Sequence, residues 1–371
     1  MSEAQAPALS RDEAFARIRL LRSPNVGPVS YAQLLRRFGT ASEAIAALPD
    51  LAGRGGARYR PAEVARIEDE IAAVRKLGAR YLFHDSPDYP EGLARLESPP
   101  PILTVRGDPA LFTRPSVAVV GARNASAGAV KLARHFATAL AGEGYAVVSG
   151  LARGIDSAAH AGALAGMSEW GGTIGVIASG IDVTYPPENL DLQEEVATRG
   201  LLIAEMPPRT EPLARHFPWR NRIIAGLASG TLVVEAAPKS GSLITARLAA
   251  EAGREVMAIP GSPLDSRSQG CNHLIREGAV LVQSAEDVME LLAGFDGAPR
   301  STFRESEPLA FAPAEPEDPA DVAGLLGTAP VPVDEIVRQS GASTGAVQTA
   351  LLELELAGRL IRHAGGRVSL A

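Results

Sequence analysis

Val117-Ala118-Val119-Val120-Gly121-Ala122-Arg123 is an apolar run that ends in a small-residue turn and an arginine. The pattern returns at Ala146-Val147-Val148-Ser149-Gly150-Leu151-Ala152-Arg153-Gly154. It returns again at Thr231-Leu232-Val233-Val234-Glu235-Ala236-Ala237-Pro238-Lys239-Ser240-Gly241-Ser242. Runs of Val and Ile without polar alternation suit strands buried on both faces, as in a parallel sheet. Laid parallel, the three turns open at one carboxyl edge, where helix N-termini aim bare N–H groups at an anion.

Working outward, strands are expected at 117–120, 145–148, 174–178, 202–204, 232–235 and 256–259, with 280–282 closing an edge. Helices are expected from Ser126 to Leu140 and from Asp156 to Leu164. Alternating strand and helix predicts an α/β class, a Rossmann-like doubly wound, mainly parallel sheet. Residues 10–75 carry Ile18, Leu20, Leu21, Leu34, Leu35 and Phe38 at helical spacing around the turn Pro24-Asn25-Val26-Gly27-Pro28. After 319, a helix near Val333–Gln339, a Ser343-capped helix ending near Leu356 and a hairpin around Gly365-Gly366 predict a winged helix. The expected organisation is a small helical N-terminal domain at 1–80 and a Rossmann-like domain at 81–293. A Pro/Glu-rich linker at 294–319 and a winged-helix domain at 320–371 complete it.

The chain has 371 residues, 46% hydrophobic and 5% aromatic, with a formal charge of −7. That charge is unevenly placed: residues 286–335 hold twelve acidic side chains against Arg300 and Arg304, a local −10 that leaves +3 on the rest. One cysteine, Cys271, excludes an internal disulfide. An N-terminus without a basic-then-apolar leader, and no apolar run of membrane-spanning length, lead to the expectation of a cytoplasmic protein without membrane insertion.

The turn chemistry narrows the ligand. A dinucleotide cofactor needs G-x-G-x-x-G and an acidic residue ending the second strand, and the chain has Gly121-Ala-Arg-Asn-Ala-Ser-Ala-Gly128 and Ser149-Gly150 instead. Lys239 lacks the G-x-x-x-x-G of a Walker A loop. There is no G-x-S-x-G elbow, no H-E-x-x-H and no zinc spacing around Cys271 and His273. No cofactor, metal or catalytic set is therefore assigned. Asp156 and His160, at i and i+4, are open to two readings: an acid/base pair, or a helix cap beside a packed histidine.

Capacity for phosphate remains. The candidate phosphate-binding residues are Gly121, Arg123, Ser149, Gly150, Arg153, Lys239, Ser240, Gly241, Ser242 and Thr245. Upstream, Phe217-Pro218-Trp219-Arg220-Asn221-Arg222 interleaves cations with aromatic rings, the combination that single-stranded nucleic acid uses for backbone and base. Phe217 also reads as a core ring, and Trp219 is the better stacking candidate. Arg220 and Asn221 are DNA-binding or structural. Arg222 reads as a strand contact or as a buried partner of Glu205 or Glu235.

At these residues the chain resembles the bacterial DNA processing protein A (DprA, also called Smf) family. The matching blocks include Asp88-Tyr89-Pro90, Gly121-x-Arg123, Ser149-Gly150-Leu-Ala-Arg-Gly154-Ile155-Asp156-x-x-Ala159-His160 and Gly180-Ile-Asp182-x-x-Tyr185-Pro186-x-Glu188-Asn189. Phe217-Pro218-x-Arg220-Asn221-Arg222-Ile-Ile-Ala-Gly226-Leu227, Lys239-Ser240-Gly241-Ser242-x-x-Thr245-Ala246 and Gly270-x-Asn272-x-Leu274-Ile275-x-x-Gly278-Ala279 follow in order. Ala122 stands where Thr or Ser is commoner. The N-terminal segment also resembles a helix-hairpin-helix of the sterile-alpha-motif-like group, with Gly27 where two glycines are usual; packing is its other reading. Gly53-Arg54-Gly55-Gly56 reads as a second, degenerate hairpin.

The resemblance implies a cytosolic, non-enzymatic homodimer that binds and protects incoming single-stranded DNA in natural transformation. It also implies that the protein loads a RecA-type recombinase, and that Arg123 and Lys239 are principal DNA-contacting positions. The residues Thr344 to Leu356 carry Glu353 and Glu355 and no Lys or Arg, so the winged helix is expected to add little DNA affinity and to contact protein. A competing class, a nucleotide-binding hydrolase or ligand sensor of a related Rossmann-like family, rests on Gly230-Thr231 and Glu235.

Overall fold

The computed structural model describes residues 9–54, 59–293, 322–327, 329–363 and 365–371. The expected linker at 294–319 lies outside the described residues, as does Gly55-Gly56 of the second hairpin. The chain divides into two compact units. One holds the sheet and begins at Glu70; the other combines the N-terminal helices with the C-terminal winged helix.

In chain order the elements begin with α1 (Arg11–Leu21), α2 (Pro28–Phe38), α3 (Ala41–Arg54) and α4 (Val64–Lys76). Next come β1 (Arg80–Phe83), α5 (Glu91–Ala94), β2 (Ile102–Gly107), β3 (Ser116–Val120), α6 (Ala127–Gly142), β4 (Ala146–Ser149) and α7 (Ile155–Gly166). Then follow β5 (Gly172–Gly180), α8 (Leu190–Arg199), β6 (Leu201–Met206), α9 (His216–Leu227), β7 (Gly230–Val233) and α10 (Gly241–Glu251). The sheet unit closes with β8 (Glu255–Ala258), α11 (Gln269–Arg276), β9 (Val280–Leu281) and α12 (Ala285–Ala293).

The sheet has nine strands in the order β1-β2-β6-β5-β4-β3-β7-β8-β9. From β6 to β9 every neighbouring pair is parallel. The chain winds from β3 through β4 and β5 to β6, then returns to the other side of β3 with β7. That reversal is the topological switch of a doubly wound sheet, and a crevice opens beyond the carboxyl ends there. Both faces are buried: Val117 and Val119 join the cluster of α6, α7 and α12, while Ala118 and Val120 face α9 and α10.

Two strands went unread in the sequence. β1 and β2 pair antiparallel, and β2 pairs antiparallel with β6 at the far edge. Neither feeds a glycine-rich turn into a helix N-terminus, so the signal that located the parallel strands is missing from them.

In the second unit, β10 (Val331–Pro332), α13 (Val333–Ser340), α14 (Thr344–Leu356), β11 (Leu360–His363) and β12 (Arg367–Leu370) form the winged helix. Ser343 caps α14 by accepting the Ala346 N–H. β12 pairs with both β10 and β11, around a turn in which Gly365 and Gly366 take φ of 73° and 60°.

Candidate nucleic-acid interface

A cavity of about 610 Å³ opens at the switch point, lined by residues of the β3 and β7 turns and of α9 and α10. The β3 turn is tied to the strand beside it: Ala122 N–H donates to the Glu235 carbonyl at 2.7 Å. Glu235 is buried, and its carboxylate accepts the Ser126 N–H at 3.0 Å and the Ser126 hydroxyl at 2.6 Å. Ser126 in turn caps α6 through the Ala129 N–H. Each carboxylate oxygen of Glu235 is thus bonded to the start of α6, which weighs against the hydrolase reading.

With the turn held from below, Arg123 stands exposed at the cavity rim, its guanidinium 4.8 Å from the centre of the Phe217 ring. Across the cavity, Ser240 caps α10 and shares a 2.7 Å hydroxyl contact with Ser242. Lys239 is exposed just before that cap. Gly241, Ser242 and the buried Thr245 complete this wall. Neither Arg123 nor Lys239 has an ion-pair partner among the described residues. Two unpaired cations and a helix N-terminus facing one cavity form an anion site.

The β4 turn differs. Ser149 is fully buried and donates its hydroxyl to the Val119 carbonyl at 2.7 Å, so it offers nothing to the cavity. The Asp156 carboxylate accepts the Gly150 N–H at 3.2 Å and the Ala152 N–H at 3.4 Å. Arg153 is exposed, pairs with Glu188 and does not line the cavity. Ser149, Gly150 and Arg153 thus each give a donor to a protein partner, Val119, Asp156 and Glu188 in turn, which weighs against the expectation that they bind phosphate.

Asp156 serves as the internal acceptor of this turn, and it also faces Arg220 at 3.9 Å. Burial raises the Asp156 pKa, opposed first by the Arg220 charge and then by the two backbone N–H groups. Burial lowers Arg220 to about 10, against the pull of Asp156, so the guanidinium stays charged at neutral pH. A Cβ on Gly150 would meet Arg220 Nη1 at 1.3 Å, so glycine is required where the guanidinium crosses the turn. His160 is fully buried, its Nδ1 2.7 Å from the Thr173 hydroxyl, and burial lowers its pKa to about 3. Asp156 and His160 follow the packing reading, with Asp156 reaching back to N–H groups ahead of the helix.

On α9 the aromatic and basic block separates by depth. Phe217 is half-buried between Arg123 on one side, Arg220 at 5.9 Å and the edge of Tyr185 at 5.8 Å. Arg220 is 6% exposed and forms the cavity floor, with its Nε unpartnered. Asn221 lies beside it and reaches the Gly241 carbonyl at 3.5 Å. Arg222 pairs with the half-buried Glu205 at 2.5 Å, a contact that favours its structural reading. Trp219 is exposed but does not line the cavity.

Arg267 also lines the cavity, from the loop after β8, and was missed in the sequence. β8 ends at the same carboxyl edge as β3 and β7, which is the signal that locates its loop there. Arg267 pairs with Asp265 at 3.2 Å. Among the described residues no group of three or more His, Cys, Asp or Glu side chains is placed to hold a metal, and no helix is long and apolar enough to cross a membrane.

Three family models match the chain. DNA recombination-mediator protein A covers residues 80–293, the DprA-like N-terminal HHH domain residues 11–73, and the DprA winged helix domain residues 306–366. The chain is 40% identical over 309 residues to protein Smf of Escherichia coli, covering 82% of this chain and 81% of that one. It is 47% identical over 201 residues to DNA processing protein DprA of Streptococcus pneumoniae, covering 54% and 70%. The crystal structure of the pneumococcal DprA superposes with a TM-score of 0.63 at 37% identity, over 78% of this chain and 99% of that one. DNA processing protein A of Helicobacter pylori, whose structure concerns its single-stranded DNA binding mode, gives 0.52 at 28% identity over 58% and 95%.

Proposed function

The chain belongs to the DNA recombination-mediator protein A family, and on that footing we propose that it is a single-stranded DNA-binding recombination mediator. Its sites are Arg123 and Lys239 with Gly121, Ser240, Gly241, Ser242 and Thr245. The carrying observation is the cavity at the switch point, where these two unpaired cations face the N-terminus of α10. Successive phosphates of one strand bridge the cations, and Phe217 beneath Arg123 supplies an aromatic edge for a base.

In this reading the protein is not an enzyme. It acts in the cytoplasm as a homodimer through the sheet domain, protects incoming single strands during transformation and passes them to a RecA-type recombinase. The domain boundaries of this reading are 1–80, 81–293, 294–319 and 320–371. The H. pylori relative's single-strand binding supports the ligand class. The capping of Ser126 by Glu235 weighs against the nucleotide-hydrolase alternative.

A titration of labelled oligonucleotide tests the proposal. Single strands are expected to bind more tightly than blunt duplex, with affinity falling steeply as salt rises. Base release from nucleoside monophosphates that is lost in Glu235→Gln would replace it with the hydrolase.

A further inference from the structure

In a helix-turn-helix the second helix is the element that enters a DNA groove. Here that helix is α14, and two of its faces are already covered. Val347, Leu351 and Leu354 pack into the winged-helix core with Ile336, Leu360 and Val368. Gln348, Leu352, Glu355 and Leu356, at i, i+4, i+7 and i+8, form a second stripe that meets α1 to α3. Leu352 and Leu356 are 3% and 0% exposed, within one cluster with Leu20, Val26, Tyr31 and Leu34.

The polar contacts converge on the N-terminal hairpin. Asn25 Nδ2 donates to the Leu356 carbonyl at 3.0 Å, the Ser30 hydroxyl to Glu355 Oε2 at 2.5 Å, and Gln33 Nε2 to Gln348 Oε1 at 2.7 Å. Arg362 holds the same Glu355 oxygen from the winged-helix side at 2.9 Å. Gly27 is the N-cap of α2 and supplies no capping side chain. Glu355 Oε1 lies 3.6 Å from the position a Cβ on Gly27 would take. A carboxylate held by the Ser30 hydroxyl therefore stands beside the N-cap of α2, where bare helix N–H groups favour an anion.

We propose that α14 and the Pro24–Pro28 hairpin form an autoinhibitory clasp. Glu355 occupies the place of a duplex backbone phosphate, and the hairpin reaches duplex DNA only when α14 leaves. α14 carries no cation of its own, so the element withheld is the hairpin. Duplex affinity is reduced by the fraction of molecules in which the clasp is open. The winged helix remains tethered through residues 294–321, so opening breaks the contact without losing the partner, and a tethered partner re-closes at high effective concentration. This inference is independent of the single-strand cavity.

The test uses the full chain and a blunt DNA duplex. Leu352→Asp disrupts the apolar half of the clasp and is expected to raise duplex affinity at least about tenfold. Glu355→Gln removes only the surrogate charge, and about threefold is expected. Adding Gly27→Asp to Leu352→Asp puts a carboxylate back on the hairpin and should abolish the gain. Amide exchange over the first turn of α2 reports opening in each variant, and Glu355→Gln decides alone if Leu352→Asp fails to fold. An uncovered hairpin without a gain in duplex affinity overturns the proposal. A wild-type chain that binds duplex as tightly as the variants, or a hairpin that stays protected in both, overturns it equally. Single-strand titrations of the same proteins report separately on the cavity and should not change.

Discussion

The turns after β3 and β4 are neighbours at one sheet edge, and each follows an apolar strand with a glycine and an arginine. After β3, the arginine has a ring beneath it and no ion-pair partner among the described residues. After β4, Asp156 takes the backbone N–H groups and Glu188 takes the arginine. Both turns border the cavity, the second through Ala152 and Asp156, but Arg153 does not line it. A small-residue turn makes an anion site only while its donors lack internal partners. Asp156, which fills the β4 turn, enters from the helix that follows it.

The largest expected effect is the reopening of the closed turn. Asp156→Ala leaves two amides unbonded and strands the buried Arg220 charge, a change expected to cost about 3–5 kcal/mol in urea unfolding. A cost under about 1 kcal/mol would mean that Asp156 does not hold the turn.

His160, on the same helix, makes the closed region sensitive to pH. Its folded pKa of about 3 lies below the ordinary 6.5, so the unfolded chain takes up a proton first as pH falls. Stability is complete above 6.5 and declines toward 3, by about 2 kcal/mol at pH 5. The raised Asp156 pKa works in the opposite direction, since there the folded state protonates first. Comparing wild type with His160→Gln isolates the histidine: the variant's unfolding midpoint should vary less between pH 7 and 5.

Binding supplies the smaller contrast. Arg123→Ala with Lys239→Ala should weaken single-strand binding about tenfold at moderate salt. The logarithmic salt dependence should become shallower by about 1.4, the share of two phosphate contacts on a single strand. Arg153→Ala should change single-strand affinity less than about twofold. Equal losses from the two sets would erase the distinction between open and closed turns.

Much of this was legible in the chain. Unbroken Val and Ile runs located β3 to β8, Ser126 lay at the N-cap of α6, and Ser343 at that of α14. Arg123 and Lys239 stood out because each follows a strand end. Arg267 did not, because its loop carries no glycine-rich turn and reaches the cavity only through the parallel pairing of β7 and β8. Likewise α14 could be read as lacking cations. That its free stripe meets the N-terminal helices of the same chain was outside any local pattern.

Periodicity, caps and turn residues act over a few neighbours, so they determine which segments become strands and helices and which turns can take an anion. They cannot determine which donors remain free. Glu188 and Arg153 are 35 residues apart, and Ser126 and Glu235 are 109 apart. Contacts at such separations are decided by the winding of the sheet, because only the folded topology brings one segment's carboxylate to another segment's open amides.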